Sequence, residues 1–449
     1  MGALMKKSSA AIVILILIFA SSVRTASAQS LEMPPDGTYI LMDLKSGQVI
    51  AERDADKKVR PASTTKIMTA ILALENGKLD QVMNVSKAAV YDIGDGGSNI
   101  GINPGENGFT LENLLNAMLI KSANETANIV AENISPSRSE FVDLMNKKAV
   151  EIGAVNTNFV NPCGKDDAKE DADHLSTARD MALIARYAMN LPKFREIVSK
   201  EYYKEMPATD AHPVWDPFRT TNKLLWPKNS YPYELNGTEY TYTVNGVKTG
   251  YTSAAGNNLI VSAVNVDGME LLAAIMHASG SSSVFSSAKK LLQYGFEHYS
   301  LQKIDGADRI IKSVTVEGAA GNETLDLVTA SDFSCALPID EKDRNITVKE
   351  NVSGTVKAPV KAGDVLGSLE YSRKGVVIGT VDVVASRGVE AKAVKQIKSE
   401  NQENGKSDSS RWIIAIIPSA ILLFLIVRFA LRRISRRRMR NRKYIIYRR

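Results

Sequence analysis

The sequence predicts an α+β body, then a small all-β module and a single C-terminal membrane-spanning segment. Three observations carry that prediction. Strand-like runs lie at both ends of residues 37–277 with helical periodicity between them, so the first and last strands can share one sheet. From residue 303 the texture changes to short alternating runs separated by Gly, Pro and Asn. Residues 412–427 are apolar and uncharged, and an arginine-rich tail follows.

Residues 1–28 read as a signal peptide. Lys6 and Lys7 form its charged start, residues 10–20 its apolar stretch, and Ala26-Ser27-Ala28 a small-x-small cleavage site before Gln29. Residues 37–43 and 48–51 then read as two strands joined at Lys45-Ser46-Gly47. Pro61 precedes Ser63 and an apolar-periodic run (Ile67, Met68, Ile71, Leu72, Leu74), the pattern of a helix with proline in its first turn. Residues 111–120 predict a second helix that delivers Ser122 just past its end. Residues 126–134 and 177–189 predict two more. Strands follow at 241–244, 258–266 and 271–277, with Lys248-Thr249-Gly250 at the start of a hairpin-rich sheet, and a helix at 286–294 closes the domain.

Residues 29–302 thus form one domain and 303–391 an all-β one, with strands at 310–316, 325–328, 346–349, 365–371 and 376–384. Residues 392–411 are polar and read as a flexible linker. The uncharged stretch from Trp412 is a little short for a span, but residues 412–431 reach about 20 if Arg428 snorkels. Positive charge stays inside, so the basic tail (432–449) is assigned to the cytoplasm and the body to the outside of the cell membrane.

The net charge of +6 over 449 residues invites a nucleic-acid reading, so its location matters. Eleven Lys or Arg lie from Arg428 onward, and Lys6, Lys7 and Arg24 lie in residues 1–28, with no acid in either stretch. Without those fourteen positive charges, residues 29–427 stand at −8. An acidic body excludes nucleic acid as the expected partner. Cys163 and Cys335 lie far apart and read as free thiols, and four His in all give poor support to a zinc mechanism, so no metal or cofactor is expected.

Three short motifs occur in one order: Ser63-Thr64-Thr65-Lys66, Ser122-Ala123-Asn124 and Lys248-Thr249-Gly250. Singly each is weak. Ser-x-x-Lys recurs at Ser286/Lys289 and Ser287/Lys290, and Ser-x-Asn at Ser399/Asn401, but those copies lie after Lys-Thr-Gly, so one ordered triplet can be assembled. Plain structural readings exist too: Lys66 as a solvated charge, Ser122 to Asn124 as a helix cap. The ordered triplet and the export signal outweigh them.

The triplet carries acyl-transfer chemistry. Serine is a weak nucleophile until a neighbour takes its proton. A spacing of three on a helix sets Ser63 and Lys66 on one face. Lys66 serves as base if its charged form is disfavoured, by burial or by a second cation such as Lys248. Ser122 offers a hydroxyl to relay a proton and Asn124 an amide to hold Lys66. Lys248 and Thr249 suit a terminal carboxylate, Gly250 lets a substrate strand approach, and the N–H groups of Ser63 and Tyr251 suit an oxyanion.

Residues 34–299 resemble the D-alanyl-D-alanine carboxypeptidase family of low-molecular-mass penicillin-binding proteins. Beyond the triplet, the matching wording is Arg60-Pro61-Ala62-Ser63, Asn161-Pro162-Cys163-Gly164, Leu175-Ser176-Thr177-Ala178-Arg179-Asp180, Asn245-Gly246-Val247-Lys248-Thr249-Gly250-Tyr251-Thr252 and Ala288-Lys289-Lys290-Leu291-Leu292. Residues 304–393 resemble the β-rich stalk domain of many members, most clearly at Pro359-Val360-Lys361-Ala362-Gly363-Asp364-Val365. The resemblance implies a DD-peptidase/β-lactamase-like domain with an antiparallel sheet packed by helices. It further implies removal of the terminal D-Ala from peptidoglycan pentapeptide stems through an acyl-enzyme on Ser63, with β-lactams as covalent inhibitors. Lys66 would be the base, Ser122 and Asn124 the rest of the proton network, and Lys248 with Thr249 the carboxylate site. Ala123 stands where members commonly have glycine, and Tyr251 where several have histidine. The rivals are a DD-endopeptidase on peptidoglycan cross-links, a β-lactamase and a non-catalytic β-lactam sensor. A class A β-lactamase needs Glu-x-x-Leu-Asn, and the nearest match here has Pro232 in place of the glutamate. A sensor needs a cytoplasmic effector domain, and the tail after Leu431 is short and basic.

Overall fold

The computed structural model describes residues 37–392 except 94–95, 167–168, 322 and 341–343. The predicted signal peptide, the linker from residue 393, the spanning segment and the basic tail lie outside the described residues. Among the described residues no helix is long and apolar enough to cross a membrane.

Strand β1 (Thr38–Asp43) is buried along its whole length and fixes the layering. Successive strand side chains point to opposite faces, so Ile40 and Met42 join one apolar cluster while Tyr39 and Leu41 join another. Its neighbours are β2 (Val49–Arg53) and β8 (Glu270–Ala278), which continues through β7 (Gly256–Asn265) and β6 (Thr238–Thr252) to β5 (Ser230–Leu235). Each adjacent pair of this six-stranded sheet is antiparallel. The first and last strands of the domain are therefore neighbours, as the sequence predicts. A separate short pair joins β3 (Tyr202–Tyr203) to β4 (Phe218–Arg219).

One face of the sheet carries the helical layer: α1 (Lys66–Asn76), α2 (Lys87–Tyr91), α3 (Leu111–Asn116), α4 (Asn124–Ile134), α5 (Arg138–Ile152), α6 (Ala178–Met189) and α7 (Pro192–Val198). Local chemistry sets their starts. Thr110 and Asn113 form a reciprocal capping box on α3, while the Ser137 and Thr177 hydroxyls accept the Glu140 and Asp180 N–H groups on α5 and α6. Helix α1 is buried on all sides from Lys66 to Ala73, the mark of a central helix. The other face is covered by α8 (Ser281–His298), whose Ala288, Leu291, Leu292 and Phe296 pack on Leu259, Val261 and Ile275.

Helix α8 runs directly into β9 (Tyr299–Asp305), which pairs with β12 (Phe333–Pro338). The β module therefore starts at Tyr299, a few residues before the predicted boundary, because β9 hides behind the helix end. Its six-stranded sheet has the order β13 (Ile346–Val352), β15 (Val365–Arg373), β16 (Val376–Ala385), β11 (Thr324–Thr329), β10 (Ile310–Glu317), β14 (Val356–Lys357). Leu325, Leu327, Leu369, Tyr371 and Val383 fill the core with Cys335. Body and module are joined by more than the chain. Asp43 Oδ2 accepts the Ala336 N–H of β12 at 2.7 Å, while Oδ1 accepts the Ser46 N–H of the adjacent turn at 2.7 Å.

Candidate active site

The Ser63 backbone lies in a tight turn, Ala62–Thr65, that leads straight into α1. Ala62 takes a left-handed φ of 48°, a conformation a non-glycine residue keeps only when its surroundings hold it. They do so from two sides. From the sheet, Asn258 Nδ2 donates to Arg60 O at 2.9 Å and Pro61 O at 3.0 Å, and its Oδ1 accepts the His277 N–H at 2.7 Å. Gly250, expected to make room for a peptide, makes room for this turn: a Cβ there would meet Pro61 O at 2.8 Å and Ser63 N at 3.1 Å. From the 161–164 loop, a Cβ on Gly164 would lie 1.9 Å from Ala62 O. That loop is folded by Asn161, whose Oδ1 accepts the Gly164 N–H at 2.7 Å.

Lys66 is fully buried. Its Nζ donates to Ser63 Oγ at 2.8 Å, Asn124 Oδ1 at 2.6 Å and Cys163 O at 2.7 Å. An ammonium has three N–H donors, and each has one partner. Burial lowers its pKa to about 8, against smaller pulls upward from Cys163 and Glu125. Once the proton is lost, two N–H groups still serve Asn124 and Cys163, and the lone pair is left for the Ser63 hydroxyl.

Ser122 follows a widened turn, Ala117–Lys121, of the kind that recurs at functional sites, and takes a left-handed φ of 67°. The helix restarts at Asn124, so one irregularity brings Ser122 to the cavity it lines with Ser63 and Asn124 to Lys66. Ser98 O accepts the Asn124 N–H at 2.8 Å and closes the wall.

Lys248-Thr249-Gly250 lies within β6, shortly before that strand turns back into β7. Lys248 is 1% exposed and donates to Thr249 O at 3.1 Å. Burial, then the Lys66 charge, push its pKa well down. The cation pairing expected to weaken Lys66 is thus felt at Lys248, and burial is the main pressure on Lys66. Thr249 Oγ1 shares a 2.5 Å hydrogen bond with Thr221 Oγ1. Two cavities of about 340 and 360 Å³ meet at Ser63. Lys165, Asp166 and Thr252 line one; Ser122, Thr221, Lys223 and Thr249 line the other; Ser98 and Tyr251 border both. A larger hollow of about 660 Å³ between Arg138 and Cys163 does not include Ser63.

The structure brings all eight predicted site residues to this cleft or its floor. Sequence reasoning missed Asn258, Thr221, Gly164 and His174. His174 is fully buried: its Nδ1 accepts the Val160 N–H at 3.1 Å, so Nε2 carries the proton toward Thr65 Oγ1 at 2.8 Å. Burial, with the Arg60 and Lys66 charges, lowers its pKa to about 3, which keeps it neutral. The Asn161-Pro162-Cys163-Gly164 wording was the one signal for this wall. Both cysteines are buried and free, as expected.

A serine hydroxyl held on a buried lysine, in a cleft between an antiparallel sheet and a helical layer, belongs to a serine acyl-transferring hydrolase. Residues 24–280 match the D-alanyl-D-alanine carboxypeptidase family, and residues 299–391 match the C-terminal domain of penicillin-binding protein 5. The chain belongs to the D-alanyl-D-alanine carboxypeptidase family. It is 31% identical over 355 residues to D-alanyl-D-alanine carboxypeptidase DacF of Bacillus subtilis, covering 77% of this chain and 84% of that one. It is 28% identical over 391 residues to DacA of Haemophilus influenzae, covering 84% and 93%. The crystal structure of penicillin-binding protein 5 from Haemophilus influenzae superposes with a TM-score of 0.63 at 26% identity, covering 80% of this chain and 100% of that one.

Proposed function

We propose that this protein is a serine-type D-Ala-D-Ala carboxypeptidase that removes the terminal D-alanine from peptidoglycan pentapeptide stems. The observation that carries the reading is the threefold hold on Lys66 Nζ, which leaves a lone pair for Ser63 when the amine is neutral. The stem's terminal carboxylate is bound by Lys248 and Thr249. Its arrival gives Lys248 a counter-charge and draws a proton to it, and that new cation loosens the proton on Lys66. Ser63 Oγ then attacks the penultimate D-Ala carbonyl while Lys66 takes its proton. The oxyanion is met by the N–H groups of Ser63 and Tyr251. The proton passes through Ser122 to the leaving amine, the peptide C–N bond breaks, and free D-Ala departs. Water then attacks the Ser63 ester, releasing the tetrapeptide and restoring the hydroxyl. A β-lactam acylates Ser63 by the same attack on its ring amide.

The test is D-Ala release from a stem pentapeptide by residues 29–410, beside Ser63→Ala. Release that vanishes in the variant supports the reading. No release from folded wild type, with a β-lactam still acylating Ser63, would move the assignment to a DD-endopeptidase on cross-links.

We infer a protein of the cell membrane, with one C-terminal pass and the catalytic domain outside, from the signal-peptide pattern of 1–28, the apolar stretch 412–431 and the basic sequence 432–449. The tail's cations suit the anionic cytoplasmic leaflet. Membrane fractions of an expressing bacterium should retain the full chain, and a chain stopped at residue 410 should be released; retention of both would refute the anchor.

A further inference from the structure

Glu125 follows Asn124 in the first turn of α4 and is 1% exposed, yet no step above uses it. Its Oε1 accepts the Ile100 N–H at 2.6 Å, and its Oε2 is buried without a hydrogen-bond partner. A buried carboxylate in that state is costly unless a charge faces it. The cation that acts on it is Lys66, which reaches the neighbouring residue, Asn124 Oδ1, at 2.6 Å.

The segment that Glu125 holds borders the nucleophile. Gly96, Gly97 and Ser98 line the cavities at Ser63. Ser98 Oγ donates to Lys121 O at 3.1 Å, and Ser98 O accepts the Asn124 N–H. Gly97 sits so close to Asn124 that a Cβ on it would meet Nδ2 at 2.8 Å. The 96–101 loop is thus laid on the residue that orients Lys66, and Glu125 is its buried fastening.

We propose that Glu125 is a positioning residue for acyl transfer, tying the 96–101 loop to the helix that carries Asn124 and giving Lys66 a buried negative counter-charge. The inference rests on the acyl-transfer reading above. Burial pushes the Glu125 carboxyl up, while the N–H groups of Ile100, Glu125 and Gly101 and the Lys66 charge pull it back. Lys66 is also faced by the Cys163 thiol and by Lys248 of β6, with Arg60 and His174 beyond the nucleophile turn. In that company the Glu125 charge strengthens Lys66's hold on its proton. The same residue therefore shapes the wall of the cleft and moves upward the pH at which the buried base becomes free.

The test follows Ser63 acylation by benzylpenicillin, by intact mass, on the full-length chain in detergent between about pH 5 and pH 10. Glu125→Gln keeps an acceptor for Ile100 and removes the charge. Its rising limb should move to lower pH by about half a unit or more, with the plateau rate within about threefold of wild type. Glu125→Ala loses the charge and the fastening, so its rising limb should move the same way while its plateau rate falls by about tenfold, and amide exchange in residues 96–101 should quicken. A Glu125→Gln profile that superimposes on wild type overturns the proposal, and this variant decides the matter if Glu125→Ala fails to fold. Wild type that never acylates at Ser63 would overturn the functional reading and the inference together, a result distinct from an unshifted profile.

Discussion

Three acceptors meet one nitrogen at Lys66, and that local count determines how the site responds to pH. The base works when neutral, and its pKa is lowered to about 8, so the second-order rate of Ser63 acylation should rise with pH and level off above about 8. A rate falling across that range would show that the charged form is the active one. Gly250 is the second residue-scale control. A methyl group there would press on Pro61 O and Ser63 N, so Gly250→Ala should slow acylation by about 100-fold and cost about 1–3 kcal/mol in denaturant unfolding. Near-normal acylation by a folded Gly250→Ala would refute the bracing role. The Ser63–Lys66 pair was legible because three residues on a helix is a local geometry. The bracing contacts of Gly164 and Asn258 with the 60–62 backbone were not, since they join positions a hundred or more residues apart: Gly164 was marked only by the Asn161-Pro162-Cys163-Gly164 wording, and a lone asparagine at 258 carries no local sign.

Among the elements, the helices that begin at Lys66, Leu111, Asn124, Ala178 and Ser281 were legible from apolar periodicity, as were the body strands β1, β2, β7 and β8, while β5 and the short helices Lys87–Tyr91 and Pro192–Val198 were not. The strand Thr238–Thr252 was read short, because Asn245 and Gly246 look like a turn where the backbone runs on through a register shift. Helix Arg138–Ile152 escaped notice because few of its residues face the core. The loop from Val160 to His174 is held by a buried imidazole, which gives it a measurable signature. The folded His174 pKa is about 3 against an ordinary 6.5, so between those values the unfolded chain takes up a proton that the folded one refuses. Stability should therefore rise with pH from about 3 to 6.5 through this group, be fully present above 6.5, and lose that contribution in His174→Asn. Parallel stability-versus-pH curves for the two proteins would remove His174 from the account.

For the whole molecule, the acidic body and basic end follow from composition alone, but the way body and module are fastened does not. Asp43 ends β1, and its carboxylate bridges its own turn and the Ala336 N–H of β12. Asp43→Ala leaves that buried N–H without its partner, a loss of about 1–3 kcal/mol. The expected outcome is a lower melting temperature with an unchanged rate of D-Ala release at 25 °C, since Asp43 lines neither cavity at Ser63. A reduced turnover at full folding would instead make the junction part of the catalytic apparatus.

The glycines that brace the serine also narrow the routes by which drug resistance can be inherited. An escape substitution must spoil capture by a β-lactam while sparing the natural stem. Positions 164 and 250 offer no such compromise, because a side chain at either one disturbs the turn that both ligands need. Selection is steered instead to the rim, where Tyr251 and Lys223 face the cleft without bracing the nucleophile.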